Sequence, residues 1–430
     1  MAAHATAAPE RDDAPQVVVL GGGIVGLCTA IETQRRGLRT LVIDRGGPGE
    51  ACSYGNAGVL ASQGVVPVAL PGIARQAPRM LLDPSGPLVI RRKGLRHTIP
   101  WLIAFQRASK EARVRAIAKA MKALFATTVE LHEGLARDAG VADLIKRMNY
   151  LVLYRDQKAG DVNALPWQLR REHGAIVEVF DGAGAIRELE PDVAPLYTRA
   201  IRYGPMACTI NPLRLSQAYA RLFIERGGRI KQGDVQRIVP AREADGGRAQ
   251  IHLRDSTVEA DHVVVALGAW SRALVEPLGL RLPLIAERGY HAMFADPGVT
   301  LSHVLHEASR HCAITPMEEG LRIGGTDELG DPDDSPRWRR ADVLAETARA
   351  MFPRADLSRM KRWMGPRPGT PDSLPYIGPL PDHPDVHLAC GHSHWGLTGA
   401  PQTGRIVAGL IAGERFNIDL TPYAPTRFAG

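Results

Sequence analysis

Apolar positions along the first fifty residues follow two periods in succession. Val17, Val18, Val19 and Leu20 form a short unbroken apolar run, which reads as a buried strand. Residues 24–36 then carry apolar side chains at helical spacing, and residues 40–44 return to a strand pattern. Further along, 108–139 repeats Ala116, Ala120, Leu124, Val129 and Leu131 at three- and four-residue steps, which predicts helix. Strands are predicted at 150–154, 229–239, 249–253, 261–267, 283–294, 313–325 (as a pair joined by the turn at Glu318-Glu319-Gly320) and 386–390. Helices are predicted within 156–174, over 186–191, from Pro212 through Glu225, over 342–351 and from about Pro401 to Ala412. Strands and helices in alternation make an α/β chain.

Between the first strand and helix lies Gly21-Gly22-Gly23-Ile24-Val25-Gly26. In a strand–turn–helix context the first glycine permits the tight turn. The second lets a pyrophosphate approach the backbone, and the third lets helix and strand pack closely. The helix N-terminus offers free N–H groups and a partial positive charge to phosphates. Asp44 closes the second strand, where an acid accepts hydrogen bonds from a ribose hydroxyl. A plain glycine-rich turn would account for the glycines but not for Asp44. A second glycine-led loop, Gly391 to Thr398, opens onto the last helix more than 350 residues later. Two such anion-stabilising turns suit one large cofactor gripped at both ends.

Composition narrows the picture further. At 430 residues, with 45% hydrophobic and 23% charged, the chain is long enough for more than one domain. Its net charge of +7 suits anionic ligands, but no dense Lys/Arg run is interleaved with aromatics, so no nucleic-acid partner is expected. The five scattered cysteines, without a CxxC, argue against a disulfide framework or a zinc site, and a metal is expected nowhere. Residues 1–15 read as a disordered tail, and no segment reaches membrane-spanning length. Arg91-Arg92-Lys93 and Arg96 precede Ile99 to Phe105, and this basic–aromatic segment, 91–105, suits a peripheral membrane contact. The expected location is cytoplasmic, on the inner face of the membrane where that contact forms.

Five motifs together carry a resemblance. They are Gly21-x-Gly23-x-x-Gly26, Cys52 to Gly58, Arg288-Gly289-Tyr290, Gly365 to Asp372 with Arg367 at its centre, and Gly391-His392-Ser393-His394-Trp395-Gly396-Leu397-Thr398. In this order they resemble the D-amino acid oxidase and dehydrogenase superfamily of FAD-dependent amine oxidoreductases. The resemblance is closest to the bacterial D-amino acid dehydrogenase small subunit and its hydroxyproline dehydrogenase relatives. It implies a Rossmann-like FAD-binding domain made of 16–70, 205–283 and 363–415. This would interleave with a mixed-sheet substrate domain of 71–204 and 284–362, leaving 416–430 as a C-terminal tail.

The resemblance also implies roles for residues. Non-covalent FAD would be held by Gly21, Gly23, Val25 and Gly26 at the pyrophosphate and by Asp44 and Arg45 at the adenosine. Ser53, Asn56, Ala57 and Gly58 would line the pyrophosphate and flavin, and Val235 and Gly268 the adenine side. Gly396, Leu397 and Thr398 would aim N–H groups at the flavin edge. Arg367 would bind the substrate carboxylate, since a guanidinium meets a carboxylate bidentately and stays charged. Tyr290 would add a hydroxyl contact, with His291 on the opposite face of its strand, and His392 and His394 would face the flavin. Trp395 departs from the family pattern and is expected to narrow the pocket.

The implied reaction is oxidative deamination of a D-amino or D-imino acid by hydride transfer from Cα to flavin N5. The acceptor would be quinone or another carrier. The alternatives are an oxidase of glycine, sarcosine or an opine, and a flavin-binding subunit of a heteromeric dehydrogenase.

Overall fold

A computed structural model describes residues 14–73, 86, 88–91, 95–241 and 247–429. Its first layer is a six-stranded sheet in the order Arg229–Gln232, Thr40–Asp44, Val17–Leu20, His262–Val265, His383–Cys390, Tyr376–Leu380. The first five strands are parallel and the last is antiparallel. Period-2 alternation sorts its side chains. Val17, Val19 and Val42 face the helices Ile24–Arg35, Pro212–Glu225 and Gly396–Ile411 in one core. Val18, Leu20, Leu41 and Ile43 face a small antiparallel sheet, Val235–Val239, Ala249–Leu253 and Thr257–Ala260, in another. The strands and helices of this layer come from three separated stretches of the chain.

The single strand expected over 229–239 is two. Gly233-Asp234 breaks it, so Arg229–Gln232 joins the parallel sheet and Val235–Val239 the small one. The last helix begins at Gly396, five residues earlier than Pro401 suggests, and runs through that proline. Proline has no N–H for the carbonyl four residues back. That carbonyl belongs to Leu397, and buried His132 Nε2 donates to it at 2.8 Å. Thr128 Oγ1 likewise donates to Thr398 O at 2.6 Å. The neighbouring helix Thr128–Asp138 thus supplies donors at the turn that the proline interrupts.

The second layer is a nine-stranded mixed sheet. Met360–Gly369, Ile285–Ala295 and Gly320–Gly330 lie side by side at one end, followed by Cys312–Met317, Val304–Glu307, Tyr150–Tyr154, Arg199–Gly204 and Ile176–Asp181, while Leu88–Ile90 pairs with Gly320–Gly330. The helix Arg339–Met351 covers one face of that end over a core containing Tyr290, Ala292 and Phe294. The other face turns toward the first layer.

Residues 416–430, where the sequence predicts a tail, are packed where described. Tyr423 is buried and donates to Ala120 O, and Arg427 pairs with buried Asp372 at 2.8 Å. Residues 1–13 lie outside the described residues.

The segment at 91–105 also differs from expectation. Arg91 turns inward to Glu328 at 3.0 Å, and Trp101 is buried, donating from Nε1 to Gly369 O and stacking on Phe105. Arg92 and Lys93 lie outside the described residues. The large apolar side chains that the helix Leu95–Ala108 exposes are Leu95, Ile99 and Ile103, four residues apart on one face, with Arg96 exposed beside them. Among the described residues no helix is long and apolar enough to cross a membrane.

Candidate active site

A cavity of about 360 Å³ lies at the carboxyl ends of the parallel strands, the usual ligand position in an open α/β sheet. Gly21, Asp44, Ala266 and Cys390, each at or just past a strand end, all line it. So do Gly23 and Val25 at one helix N-terminus and Gly396 and Leu397 at another. Neither N-cap residue, Gly23 or Trp395, caps its helix with its own side chain. Gly21 sits at φ +111°, and a Cβ there would run into Ala266 O at 2.5 Å. Asp44 Oδ2 accepts from Gly22 N at 2.6 Å and Oδ1 from Gly46 N at 2.8 Å, which fixes the carboxylate at the rim. Arg45 lies 4.1 Å over the Trp270 ring, and Val235 and Gly268 complete that end. Ser53 accepts from Ile24 N at 2.9 Å, tying the 46–58 loop to the helix start. The two helix N-termini, the fixed carboxylate and the cationic flank fit an extended dinucleotide.

Not every expected residue lines the cavity. Gly26 serves packing, because a Cβ there would collide with Gly21 O. Ala57 and Gly58 lie off the lining, and a Cβ at Gly58 would strike Thr209 O. The Asn56 side chain lines the cavity yet accepts from Gly58 N at 2.8 Å. The Thr398 hydroxyl is spent on the strand Val59–Leu60 and its neighbour, accepting from Ala61 N and donating to Val59 O, both at 3.1 Å.

The substrate-side expectations need the larger corrections. Tyr290 points away from the cavity into the core under Arg339–Met351. Its hydroxyl accepts from Arg337 N at 2.9 Å, and burial raises its ionisation. The cavity-side face of Ile285–Ala295 carries Glu287, Gly289 and His291, opposite Arg367, Gly365 and Trp363 on the neighbouring strand. His291 stacks on Trp363 with ring centres 5.1 Å apart, and burial, helped by Arg322 and Arg367, drives its pKa to about 3. It is a neutral support behind Trp363, which itself lines the cavity. Trp395 stacks toward Phe125 and is not in the lining, so it does not narrow the pocket.

His392 and His394 both line the cavity, but their surroundings differ. His392 is buried, bonds Thr403 Oγ1 at 2.9 Å, and is driven by burial to about 3. His394 stands on the cavity wall with two acids that sequence alone did not bring to it. Its Nε2 is 3.4 Å from Asp327 Oδ1 and its Nδ1 is 3.7 Å from Glu287 Oε2. Arg367 Nη1 donates to the same Asp327 Oδ1 at 3.0 Å. Burial pushes Glu287 up to about 7, with Asp327 adding to the rise and His394 and Arg367 opposing it. Burial also acts to raise Asp327, but the hydrogen bond and charge of His394, with Arg367 and Arg340, hold it at about 2. Ligand atoms of Glu287, Asp327 and His394 fall within 4.8 Å of one another. The cation already seated against them is the Arg367 guanidinium.

Two further residues were missed. Arg322 clamps the 46–58 loop by donating to Tyr54 O and Asn56 O. Cys52 Sγ donates to Pro366 O at 2.8 Å, beside Arg367, and burial holds this thiol protonated, up to about 12. The sequence places no cysteine near the arginine strand, but the fold brings one there.

Comparison with known proteins agrees with this geometry. The family model described as FAD dependent oxidoreductase matches residues 16–410. A D-amino-acid oxidase of Bradyrhizobium diazoefficiens is 36% identical over 96% of this chain and 98% of its own. A D-amino acid dehydrogenase of Rhodopseudomonas palustris is 30% identical over 96% and 98%. Among solved structures, glycine oxidase from Geobacillus kaustophilus superposes with a TM-score of 0.73 at 23% identity, covering 96% of this chain and 98% of that one.

Proposed function

Because the chain belongs to the FAD-dependent oxidoreductase family, we propose that it oxidises D-amino or D-imino acids, with Arg367 receiving the substrate carboxylate. The observation that carries this reading is a guanidinium on the wall of the same cavity that takes in both helix N-termini. FAD would be held by Gly21, Gly23 and Val25 at its pyrophosphate, by Asp44, Arg45, Val235 and Gly268 at its adenosine, and by Ser53, Asn56, Gly396 and Leu397 toward its ring. When bound, it supplies the acceptor for the substrate's Cα hydride.

The chain's own contribution is orientation and electrostatics. Arg367 has one face turned to Asp327 and the rest toward the cavity, so it can fix a carboxylate at one end of the substrate. Trp363, braced by His291 and Tyr54, forms a rigid flat wall beside it. Gly396 and Leu397 present a helix N-terminus to the cavity, whose partial positive charge would favour the negative charge of a reduced flavin held there. His132 holds the Leu397 carbonyl, which keeps that N-terminus aimed.

Anaerobic titration of the yellow protein with D- and L-amino acids, proline derivatives, glycine and sarcosine tests the reading. Bleaching by D-amino or D-imino acids, lost in Arg367→Ala, is the expected result. Bleaching only by glycine or sarcosine, or by none, would sink it. A charge-assisted contact of this kind is worth about 1.5–3 kcal/mol, so removing Arg367 should raise the apparent Kd roughly 10- to 150-fold.

We further propose that the electron acceptor is a membrane quinone, reached from the cytoplasmic surface. The exposed row of Leu95, Ile99 and Ile103 would rest on that surface. Ile99→Glu with Ile103→Glu should release the protein from anionic vesicles, and unchanged co-sedimentation rejects the contact.

A further inference from the structure

Oxidation of an amine needs a free electron pair on nitrogen, yet an amino acid in neutral water carries an ammonium. Some group has to take that proton. Around Arg367 the fold assembles four ionisable side chains from four elements: Glu287 from Ile285–Ala295, Asp327 from Gly320–Gly330, Arg367 from Met360–Gly369 and His394 from the short helical turn Ser393–Trp395. Only Arg367 and His394 of the four line the cavity. Glu287 is 5% exposed, and its Oε2 has no hydrogen-bond partner although it lies 3.7 Å from His394 Nδ1, itself buried and unpartnered. An unpaired buried carboxylate oxygen aimed at an unpaired imidazole nitrogen is costly unless a proton passes between them.

We propose that His394 accepts the proton that the substrate ammonium loses, and that Glu287 and Asp327 are positioning residues that hold the resulting imidazolium. The inference rests on the reading of Arg367 as the carboxylate site. The N–H bond of the ammonium breaks and a new N–H bond forms at His394 Nε2, since Nδ1 is buried against Glu287, while the substrate nitrogen keeps the electron pair that would assist departure of the Cα hydride to bound FAD. No further oxidant or reductant enters. Asp327 is already compensated by Arg367, so Glu287 is the carboxyl left to balance the new cation. The charged groups that face this cluster are Arg367, Arg340, which acts on Asp327, and His311, which feels Asp327 from the turn before the strand Cys312–Met317. His392, two residues away, takes no part, since it is buried against Thr403.

The test uses the FAD-loaded full chain and two readouts. In stopped-flow reduction by a D-amino acid, the rate should rise with pH through one inflection in the wild type. In His394→Gln that inflection should vanish and the rate fall about 100-fold, the low end for a general base. In Glu287→Gln the inflection should move to lower pH, while propionate, which has the carboxylate but no amine, binds as it does to the wild type. The second readout needs no turnover. In protein carrying carbon-13 histidine, the signal missing from His394→Gln should titrate, and its midpoint should move in Glu287→Gln. An inflection unchanged in His394→Gln overturns the proposal, as does a His394 signal indifferent to Glu287→Gln. Should no amino acid reduce the flavin, the substrate reading fails on its own, and the histidine titration still decides the pairing.

Discussion

Gly289 lies directly beneath Arg367: a Cβ built on Gly289 would run into the Cζ, Nη1 and Nη2 of the guanidinium. The two sit on adjacent antiparallel strands, with Gly289 opposite Gly365 and Arg367 opposite Glu287. The missing side chain is therefore the floor on which the arginine lies flat.

Gly289→Ala should move the guanidinium without unfolding the sheet, because the obstacle is the far end of a flexible side chain. The expected outcome is flavin content and Tm close to wild type, with the Kd for a substrate carboxylate raised about tenfold or more, as for a displaced charge-assisted contact. Anaerobic flavin titration reads the affinity. An unchanged Kd would mean that Arg367 does not meet the substrate.

Tyr290→Phe separates a substrate contact from a packing role. The Tyr290 hydroxyl accepts from Arg337 N on the side away from the cavity. Its removal should cost about 1 kcal/mol of stability, the usual net value of one hydrogen bond. The apparent Kd for substrate should stay within about twofold. A large loss of substrate affinity with unaltered unfolding would restore Tyr290 to the site.

These two residues also mark what a sequence discloses. The turn at Gly21 to Gly26, the acid at Asp44 and the prolines around Arg367 are local chemistry, and local chemistry is written in consecutive residues. Strand alternation predicts that Tyr290 and His291 face opposite ways, but not which way is inward. That depends on the helix Arg339–Met351, which covers the Tyr290 face. Asp327 and Glu287 are 40 residues apart and meet only because their strands are neighbours, with a register shift between Arg288 and Tyr290. Gly233-Asp234 gave no stronger break signal than many loops, so two strands read as one. Pro401 looked like a helix start because the donors that let it sit inside the helix belong to residues 128 and 132.

His132→Phe tests that arrangement. A carbonyl can only accept, so His132 Nε2 carries the proton to Leu397 O, and burial drives the ring's pKa to about 4. The ring is thus neutral across the physiological range. Replacing it by phenyl leaves Leu397 O without that donor, with Pro401 unable to substitute. An unsatisfied buried acceptor costs about 1–3 kcal/mol. Denaturant unfolding should show that loss, and the Kd for FAD should rise because the Gly396–Leu397 turn is no longer held. Unchanged FAD affinity would mean that the turn keeps its position without His132.

The pH dependence of stability isolates Glu287. Its carboxyl is held in the fold at about 7, against 4.5 for the ordinary group, chiefly by burial. A carboxyl whose ionisation is raised by folding favours the native state while it stays protonated. That contribution is complete below the ordinary value and drains away as pH climbs through about 7. The wild-type Tm should therefore fall between pH 6 and pH 8 more steeply than that of Glu287→Gln, whose amide never ionises. The difference should be present with and without FAD, since it belongs to the protein's own burial of the group. Parallel curves for the two proteins over this range would show that Glu287 is already ionised when the chain folds.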